Sequence, residues 1–408
     1  MLAGKTVVLG VTGGIAAYKA AEIVRWLKKE GAAVVVVMST AARQFISPLT
    51  LSTLSGNPVL DDLWAPNQTL TFGRPRTRSS AVEHIEVADA ADLVIVAPAT
   101  ANLLARAAMG LADDLLTALL LARTGPVLAA PAMNDAMYAH PATRANLKTL
   151  AGRGWHFVGP GVGPLAEGPS ERPGRMSEPD AVFAAAARLV LQRIPWLGKT
   201  VVVTAGPTRE HLDPVRVVTN PSTGRMGFAL AEAAYARGAD VVLVAGPSEL
   251  PLPLGVTVHR VETTAEMQRA TQALVKRADV LVMAAAPADY RPAASAATKR
   301  PRSGGALTIA LEATPDILGS LTPRKGCVTV GFALETGGDG VAKARKKLQD
   351  KGLDFVILND ALEPGAGFEV TTNRVTIIGK RGAPIELPLL SKRDVADKIL
   401  DAVEQALT

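Results

Sequence analysis

The chain carries one short pattern twice, GKTVVLGVTGG at residues 4–14 and GKTVVVTAGPT at residues 198–208. In each copy a run of apolar and β-branched residues leads directly into a turn that contains glycine. A strand without polar alternation is typical of a parallel sheet that helices cover on both faces. Ligands of such sheets bind beyond the carboxyl ends of the strands, so the turns that follow the strands are where functional residues are expected.

The alternation of apolar strands and helical patterns continues along the rest of the chain. Residues 33–38, 93–97, 240–244 and 280–284 have the composition of further buried strands, and residues 15–29 have the pattern of an amphipathic helix. The pattern predicts the α/β class, with two tandem doubly wound Rossmann-like domains and mostly parallel sheets. An alanine-rich helix ends at Leu191, and we place the boundary there, between domains 1–191 and 192–408.

Composition narrows the class of protein. Of the 408 residues, 48% are apolar and 20% are charged, which is ordinary for a folded domain. The single cysteine, Cys327, excludes an internal disulfide framework and favours a cytoplasmic location. No apolar run reaches the ~18 residues of a membrane span, and the N-terminus lacks a signal-peptide pattern. The net charge of +6 suits nucleic acid or small anions, but no aromatic residues interleave with the basic clusters, so we expect small-molecule partners and no nucleic acid.

Three polar turns follow strands of the first half, at residues 10–16, 39–40 and 98–102. Glycines let the backbone approach a ligand, and the start of the following helix offers free N–H groups to a phosphate. The spacing is neither GxGxxG nor GxxxxGK[ST], which argues against a dinucleotide fold or a P-loop. From the residues alone, these turns are either structural or part of a phosphate site.

Four segments of the first half then carry a resemblance. They are GGIAAYK at 13–19, HI at 84–85, APATAN at 97–102 and PAMN at 131–134, and together they resemble the flavin-dependent cysteine decarboxylases. The second half resembles the ligase that makes the substrate of such a decarboxylase. The whole chain is thus similar to the fused coenzyme A biosynthesis family, phosphopantothenoylcysteine decarboxylase / phosphopantothenate–cysteine ligase.

The resemblance implies a role for particular residues of the first domain. It implies that FMN accepts electrons from the thiol-bearing carbon and later returns them, that His84 is the catalytic histidine, and that Asn134 holds the substrate carboxylate. Further substrate contacts are implied for Met133, Arg175 and Met176. The residues implied to bind FMN are Gly13, Gly14, Ile15, Ala16, Ser39, Thr100 and Asn102.

One position departs from the family. The family usually carries a cysteine in a mobile lid, in a setting like LACG, and here residues 165–168 read LAEG. Glu167 stands at the matching place and could donate the proton if its pKa is raised. Alternatively Glu167 is a solvated lid residue, and another group or water supplies the proton.

The second domain is implied to activate phosphopantothenate with CTP and Mg²⁺, as an acyl cytidylate that the amine of cysteine then attacks. Asn220, in the turn NPSTG, matches the asparagine that contacts this intermediate. The matching nucleotide-site positions are Asp289, Lys299, Thr314, Pro315, Asp316, Ile317, Phe332, Lys347 and Lys351. The nucleotide preference stays open because Pro301 and Arg302 replace family lysines, and no metal ligands can be named.

Two other classes of function compete with this interpretation. A nicotinamide-dependent oxidoreductase would need GxGxxG and an acidic residue where Ser39-Thr40 stands. A non-enzymatic flavoprotein, acting as a regulatory subunit, would explain the missing lid cysteine. By resemblance, we also expect a large homo-oligomer.

Overall fold

The structure is a computed structural model that describes residues 1–65, 68–74, 82–299, 308–335, 339–360, 365, 367 and 370–407. Pro301 and Arg302, on which the nucleotide preference was left open, lie outside these residues. The chain divides into two compact units, Met1–Leu191 and Gln192–Thr408. In the described ranges, no helix combines the length and the apolar character needed to cross a membrane.

The described part of the first unit is built on a six-stranded parallel sheet with the order β3-β2-β1-β4-β5-β6. Its strands are β1 (Thr6–Val11), β2 (Ala33–Met38), β3 (Val59–Leu60), β4 (Leu93–Ala99), β5 (Val127–Pro131) and β6 (Trp155–Phe157), followed by the antiparallel pair β7 (Gly161–Val162) and β8 (Pro173–Arg175). The helices are α1 (Lys19–Lys29), α2 (Pro48–Ser55), α3 (Glu83–Ala90), α4 (Ala101–Met109), α5 (Leu115–Ala122), α6 (Asp135–Ala139), α7 (Pro141–Gly152) and α8 (Pro179–Leu191).

The second unit repeats this order in its parallel strands and adds two antiparallel strands at one edge. Among the described residues its main sheet has the order β13-β12-β9-β14-β17-β18-β20-β21. Its strands are β9 (Thr200–Ala205), β10 (Arg209–His211), β11 (Val217–Thr219), β12 (Asp240–Ala245), β13 (Thr257–Arg260), β14 (Val280–Met283), β15 (Tyr290–Pro292), β16 (Leu311–Ala313), β17 (Val328–Glu335), β18 (Phe355–Asp360), β19 (Thr372–Asn373), β20 (Thr376–Gly379), β21 (Ile385–Glu386) and β22 (Leu390–Ser391). The helices are α9 (Arg225–Ala236), α10 (Thr264–Val275), α11 (Gly340–Asp350) and α12 (Lys392–Leu407).

Both faces of the central strand β1 are covered, as its apolar composition predicts. All of its residues are buried. Val7 and Leu9 pack on one side of the sheet with Ile23 of α1, whereas Val8 packs on the other side with Leu116 of α5. The predicted α/β class with doubly wound Rossmann-like units is confirmed.

The amino end of each central strand is held by an aspartate from the neighbouring strand. Asp92, just before β4, accepts a hydrogen bond from the backbone N–H of Thr6 at 2.8 Å. Asp279, just before β14, accepts one from Thr200 at the same distance and also pairs with Arg324. The two GKTVV copies therefore begin their strands in the same way, with a partly buried N–H satisfied by a carboxylate.

We expect Asp279→Ala to lower the free energy of unfolding of the second unit by about 1–3 kcal/mol, because the N–H of Thr200 loses its acceptor. Urea denaturation of the full chain measures this loss. Glu249→Ala, at an exposed loop position, is the matched control and should stay within about 0.5 kcal/mol of the parent. Equal stability of the two variants would contradict the role given to Asp279.

Candidate functional site

The turns at the carboxyl ends of β1, β2, β4 and β5 enclose a cavity of about 1060 Å³ in the first unit. Its wall is completed by the segment that leads into β8. The structure brings nearly all site residues predicted for this unit to that wall: Gly13, Gly14, Ile15, Ala16, Ser39, Thr100, Asn102, Met133, Asn134, Glu167, Arg175 and Met176.

The first turn is held close to its neighbours by short contacts. The buried hydroxyl of Thr12 donates to the carbonyl of Pro98 at 2.6 Å and lies 3.2 Å from the hydroxyl of Thr100, which joins the turns after β1 and β4. A Cβ atom added to Gly13 would lie against the Cβ of Ala41 and 2.9 Å from its carbonyl carbon. Only glycine therefore allows the first turn to approach the turn after β2 this closely.

Ser39 presents a buried hydroxyl that has no hydrogen-bond partner among the described residues. It precedes the 3-10 turn Thr40–Gln44 and does not use its side chain to cap that turn. A buried polar atom without a partner costs free energy unless a ligand or a water satisfies it. Because Ser39 lines the cavity, its hydroxyl is available to an acceptor bound there.

Asn134 both caps a helix and lines the cavity. Its side-chain Oδ1 accepts a hydrogen bond from the N–H of Ala136 at 2.9 Å at the start of α6. Nearby, the N–H of Met133 donates to the carbonyl of Gly174 in β8 at 3.1 Å. The side-chain amide is thereby fixed in orientation, with its Nδ2 group left to donate to a ligand.

The segment from β7 through β8 to residue 178 forms a lid over the cavity. Residues 163–172, which connect β7 to β8, are the tip of this lid. Leu165 and Gly168 exchange backbone hydrogen bonds of 2.8 and 3.1 Å, and the exposed Glu167 sits in the tight turn between them. Ser170 donates to a carboxylate oxygen of Asp135 at 2.7 Å. Glu167 therefore lines the cavity from a segment that is tied to the helix of Asn134.

His84 is the predicted residue that does not line this cavity. It is half-buried in the first turn of α3, and the last turns of that helix are held by Arg123, whose guanidinium donates to the carbonyl of Ala88 at 2.8 Å. Four charged residues that our sequence analysis did not assign to the site do line it: Lys19, Arg106, Asp113 and Asp114. The position of Lys19 at the end of the segment GGIAAYK is a signal that could have assigned it to the site. Nothing in the sequence showed that its side chain is buried.

In the second unit, Asn220 and Thr314 bind the loop that follows β14. The Asn220 Nδ2 group donates to the carbonyls of Ala286 at 3.3 Å and Pro287 at 2.9 Å. The Thr314 hydroxyl donates to the carbonyl of Ala288 at 2.6 Å, and its N–H donates to the carbonyl of Asp289 at 3.0 Å. These predicted residues thus converge on one strand-end loop.

A second group of predicted residues surrounds α11. Lys347 donates to the carbonyl of Phe332 at 2.8 Å, and Lys351 pairs with Asp316. Burial lowers the pKa of Lys347, and the charge of Lys351 lowers it further, while nearby carboxylates that include Asp289 oppose the shift. Hydrogen bonding from Lys351 lowers the pKa of Asp316. Lys347 and Lys351 are the cations of this cluster, and Asp316, Asp289 and Glu335 lie near them.

The remaining predicted positions differ in character. Lys299 is exposed and Pro315 is half-buried, whereas Ile317 is buried in a hydrophobic cluster with Met267 of α10. The side chain of Ile317 therefore packs in the core. Within the described ranges, no group of three or more His, Cys, Asp or Glu side chains is placed to hold a metal ion.

Residues 1–191 match the Flavoprotein family, and residues 196–407 match the DNA/pantothenate metabolism flavoprotein C-terminal domain. The coenzyme A biosynthesis bifunctional protein CoaBC of Vibrio cholerae is 45% identical over 411 residues, covering 100% of this chain and 99% of that protein. The chain belongs to the CoaBC family. The predicted class of enzyme, a bifunctional decarboxylase and ligase of coenzyme A biosynthesis, is confirmed by this membership.

Two solved structures resemble separate parts of this CoaBC family member. The C-terminal domain of a coenzyme A biosynthesis bifunctional protein CoaBC is 39% identical, with a TM-score of 0.45, and covers 53% of this chain and 98% of its own. A PPC decarboxylase mutant complexed with pantothenoylaminoethenethiol is 29% identical, with a TM-score of 0.38, and covers 45% of this chain and 96% of its own.

We expect Gly13→Ala to destabilise the first unit by about 1–3 kcal/mol, because the added methyl group overlaps Ala41. Gly14→Ala is the matched control: its Cβ would meet the methyl group of Thr100 at an ordinary 3.4 Å, and the backbone there is extended. Urea denaturation followed by circular dichroism compares the two. Loss of stability in both variants alike would show that the close approach of Gly13 is not the cause.

Proposed function

We propose that the first unit decarboxylates 4'-phosphopantothenoylcysteine to 4'-phosphopantetheine with FMN. We propose that the second unit makes that substrate from 4'-phosphopantothenate and cysteine, with CTP and Mg²⁺. The observation that carries the first assignment is the cavity itself, where the residues implied to bind FMN and those implied to bind substrate share one wall. The second assignment rests on family membership and on the cationic cluster at α11.

The residues of the cavity fit a flavin mononucleotide. The unsatisfied hydroxyl of Ser39 and the N–H groups after Gly13 and Gly14 suit its phosphate. The opening near the lid leaves room for a second, thiol-bearing ligand. When bound, FMN supplies an electron sink that a cysteine-derived carboxylate otherwise lacks.

Charged residues divide the cavity wall and would orient the substrate. Asp113 and Asp114 both pair with Arg106, so that end of the wall has a carboxylate in excess. Arg175 and Lys19 are the cations of the lid side, and Glu178 pairs with both. An anionic substrate would meet Arg175 there, and Nδ2 of Asn134 can donate a hydrogen bond to its carboxylate without neutralising it.

Oligomerisation is part of the proposal. Ile15 and Tyr18 line the cavity and yet have exposed fractions of 64% and 60%. Large apolar side chains at the mouth of a site are typical of a surface that another protein covers. A second copy of the chain is the partner we propose, in a homo-oligomer.

In the second unit, Lys347 and Lys351 would stabilise the negative charge of the nucleotide phosphates, with Mg²⁺ bridging those phosphates. Asn220 already binds the loop of Pro287 through its amide, which holds it at the carboxyl end of β14. From that position its side chain would contact the activated acyl group. The ion pair between Lys351 and Asp316 would open when the nucleotide binds.

The test supplies 4'-phosphopantothenate, cysteine, CTP and Mg²⁺ to the purified chain and follows pyrophosphate and CO2 separately. We expect the purified chain to show a flavin absorbance band. Asn134→Asp keeps the helix-capping acceptor but places a negative charge against the substrate carboxylate, so CO2 release should fall at least about 100-fold with pyrophosphate unchanged. Asn220→Ala should abolish pyrophosphate release, while added 4'-phosphopantothenoylcysteine still yields CO2.

Each variant serves as the folding control for the other, because each should spare one activity. A chain without flavin absorbance would overturn the FMN assignment. A yellow chain that releases no CO2 from 4'-phosphopantothenoylcysteine would favour the non-enzymatic flavoprotein instead. Absence of CTP-dependent pyrophosphate would overturn the ligase assignment.

We further propose that Glu167 donates the proton that completes the reduced thiol product. Glu167→Gln should release one CO2 per flavin but form 4'-phosphopantetheine at least about tenfold more slowly, with the enethiol and reduced FMN persisting together, because glutamine cannot supply the proton that accompanies the return of the electrons. Mass spectrometry of the products separates the two species. Glu171→Gln, at another exposed position of the same lid, is the control; equal product ratios in both variants would mean that another group or water protonates the enethiol.

A further inference from the structure

Lys19 is a buried lysine in the wall of the cavity. It is the first residue of α1, and only 5% of its surface is exposed. Burying an ammonium group is costly unless the charge is paired and hydrogen-bonded. The hydrogen-bond and ion-pair partners of Lys19 therefore indicate its role.

Both partners lie just beyond β8, at the end of the lid. The Nζ atom donates to the carbonyl of Met176 at 3.1 Å and pairs with Oε2 of Glu178 at 3.0 Å. The other oxygen of Glu178, Oε1, accepts a hydrogen bond from Nη2 of Arg175 at 2.6 Å. Glu178 thus joins a buried cation to a half-exposed one.

The charge of Lys19 acts on this bridge. Its hydrogen bond is the main reason that the pKa of Glu178 is lowered, so Lys19 stabilises the carboxylate that holds Arg175. The bridge itself is largely exposed, with 52% of the Glu178 side chain accessible, whereas Lys19 is fixed by the core around α1. The rigid end of the arrangement is therefore Lys19.

The guanidinium of Arg175 is also restrained by the backbone of the lid. It runs beside Gly163 in the lid, where a Cβ atom would lie 3.2 Å from its Nη1 atom. Glu178 and Gly163 thus flank the guanidinium at the cavity wall. Loss of the Lys19 charge would remove the buried anchor of Glu178 and leave the exposed Glu178–Arg175 pair without a fixed end.

We propose that Lys19 is a positioning residue of the decarboxylase site, which fixes Arg175 toward the anionic substrate by holding Glu178 and the strand end at Met176. The inference rests on the decarboxylase function proposed above. Lys19 does not take part in the chemistry. Its effect is on substrate binding, through the lid.

The test compares Lys19→Met, Glu178→Gln and the double variant in the full chain loaded with FMN. Methionine keeps the length of the lysine stem and removes its charge. We expect each single variant to raise KM for 4'-phosphopantothenoylcysteine about tenfold with kcat little changed, because a contact made equally in ground and transition states is lost. The double variant should be no worse than either single one, since both act through one bridge.

A second readout does not depend on activity. Glu-specific endoproteinase should cut the lid after Glu167 and Glu171 several times faster in Lys19→Met and Glu178→Gln than in the parent. Lys28→Met, exposed on the same helix, is the matched control and should leave KM and cleavage unchanged. If Lys19→Met fails to fold, Glu178→Gln still tests the bridge from its exposed side.

Parent-like KM and cleavage in Glu178→Gln would overturn the proposal, as would effects of the two substitutions that multiply in the double variant. A fall in kcat at constant KM would instead assign Lys19 to the chemical step. Should the parent lack decarboxylase activity, the proposed function fails, but the cleavage rates still decide whether Lys19 holds the lid.

Discussion

The structure depends on a strand that is buried on both faces and can therefore satisfy polar groups only at its two ends. The two ends of β1 meet this constraint differently. At the amino end, the N–H of Thr6 is bonded by Asp92, and Thr200 in β9 is bonded by Asp279 in the same way. At the carboxyl end, β1 leads into the first glycine turn, and the nearby hydroxyl of Ser39, which follows β2, has no partner in the described part of the chain. At the amino ends of the central strands, carboxylates satisfy the backbone, whereas at the carboxyl end in the first unit a polar group remains available to a ligand.

Much of the first unit could be read from the sequence because the signals are local. The strand at residues 33–38 follows directly from its apolar run, and the polar turns follow from where such runs stop. The sequence pattern predicts a single helix over residues 15–29, but the structure begins with a 3-10 turn, Ile15–Tyr18, before α1. Such a short 3-10 turn at the start of a helix leaves no mark in an apolar periodicity.

The contributions that sequence reasoning missed are those made by distant partners. Lys19 and Met176 are separated by 157 residues, and a lysine in an amphipathic pattern is usually solvated. Ile317 differs from Lys19 in the other direction. Its position matches a nucleotide site by resemblance, but its side chain is buried in the core under α10. His84 does not line the cavity, and its catalytic role stays a prediction.

The two lysines of the α11 cluster already have acceptors within the protein, and a nucleotide that bound there would have to replace them. Lys351 is paired with Asp316, and Lys347 is bonded to the carbonyl of Phe332. An exposed ion pair contributes about 0–1 kcal/mol, so exchanging Asp316 for a phosphate costs little. Lys347 is more buried, and its pKa is lowered by that burial and by the charge of Lys351. An incoming anion would stabilise its charged form and gain more from Lys347 than from Lys351.

The lid of the first unit combines a firmly held end with a lightly held tip. The strand end at Met176 is bonded to a buried lysine, whereas Glu167 lies in a turn that two backbone hydrogen bonds close. A residue in such an exposed turn can be exchanged without disturbing the packing beneath it. A change from cysteine to glutamate at this position therefore alters the chemistry that the lid offers, while the cavity wall proposed for flavin and substrate keeps its shape.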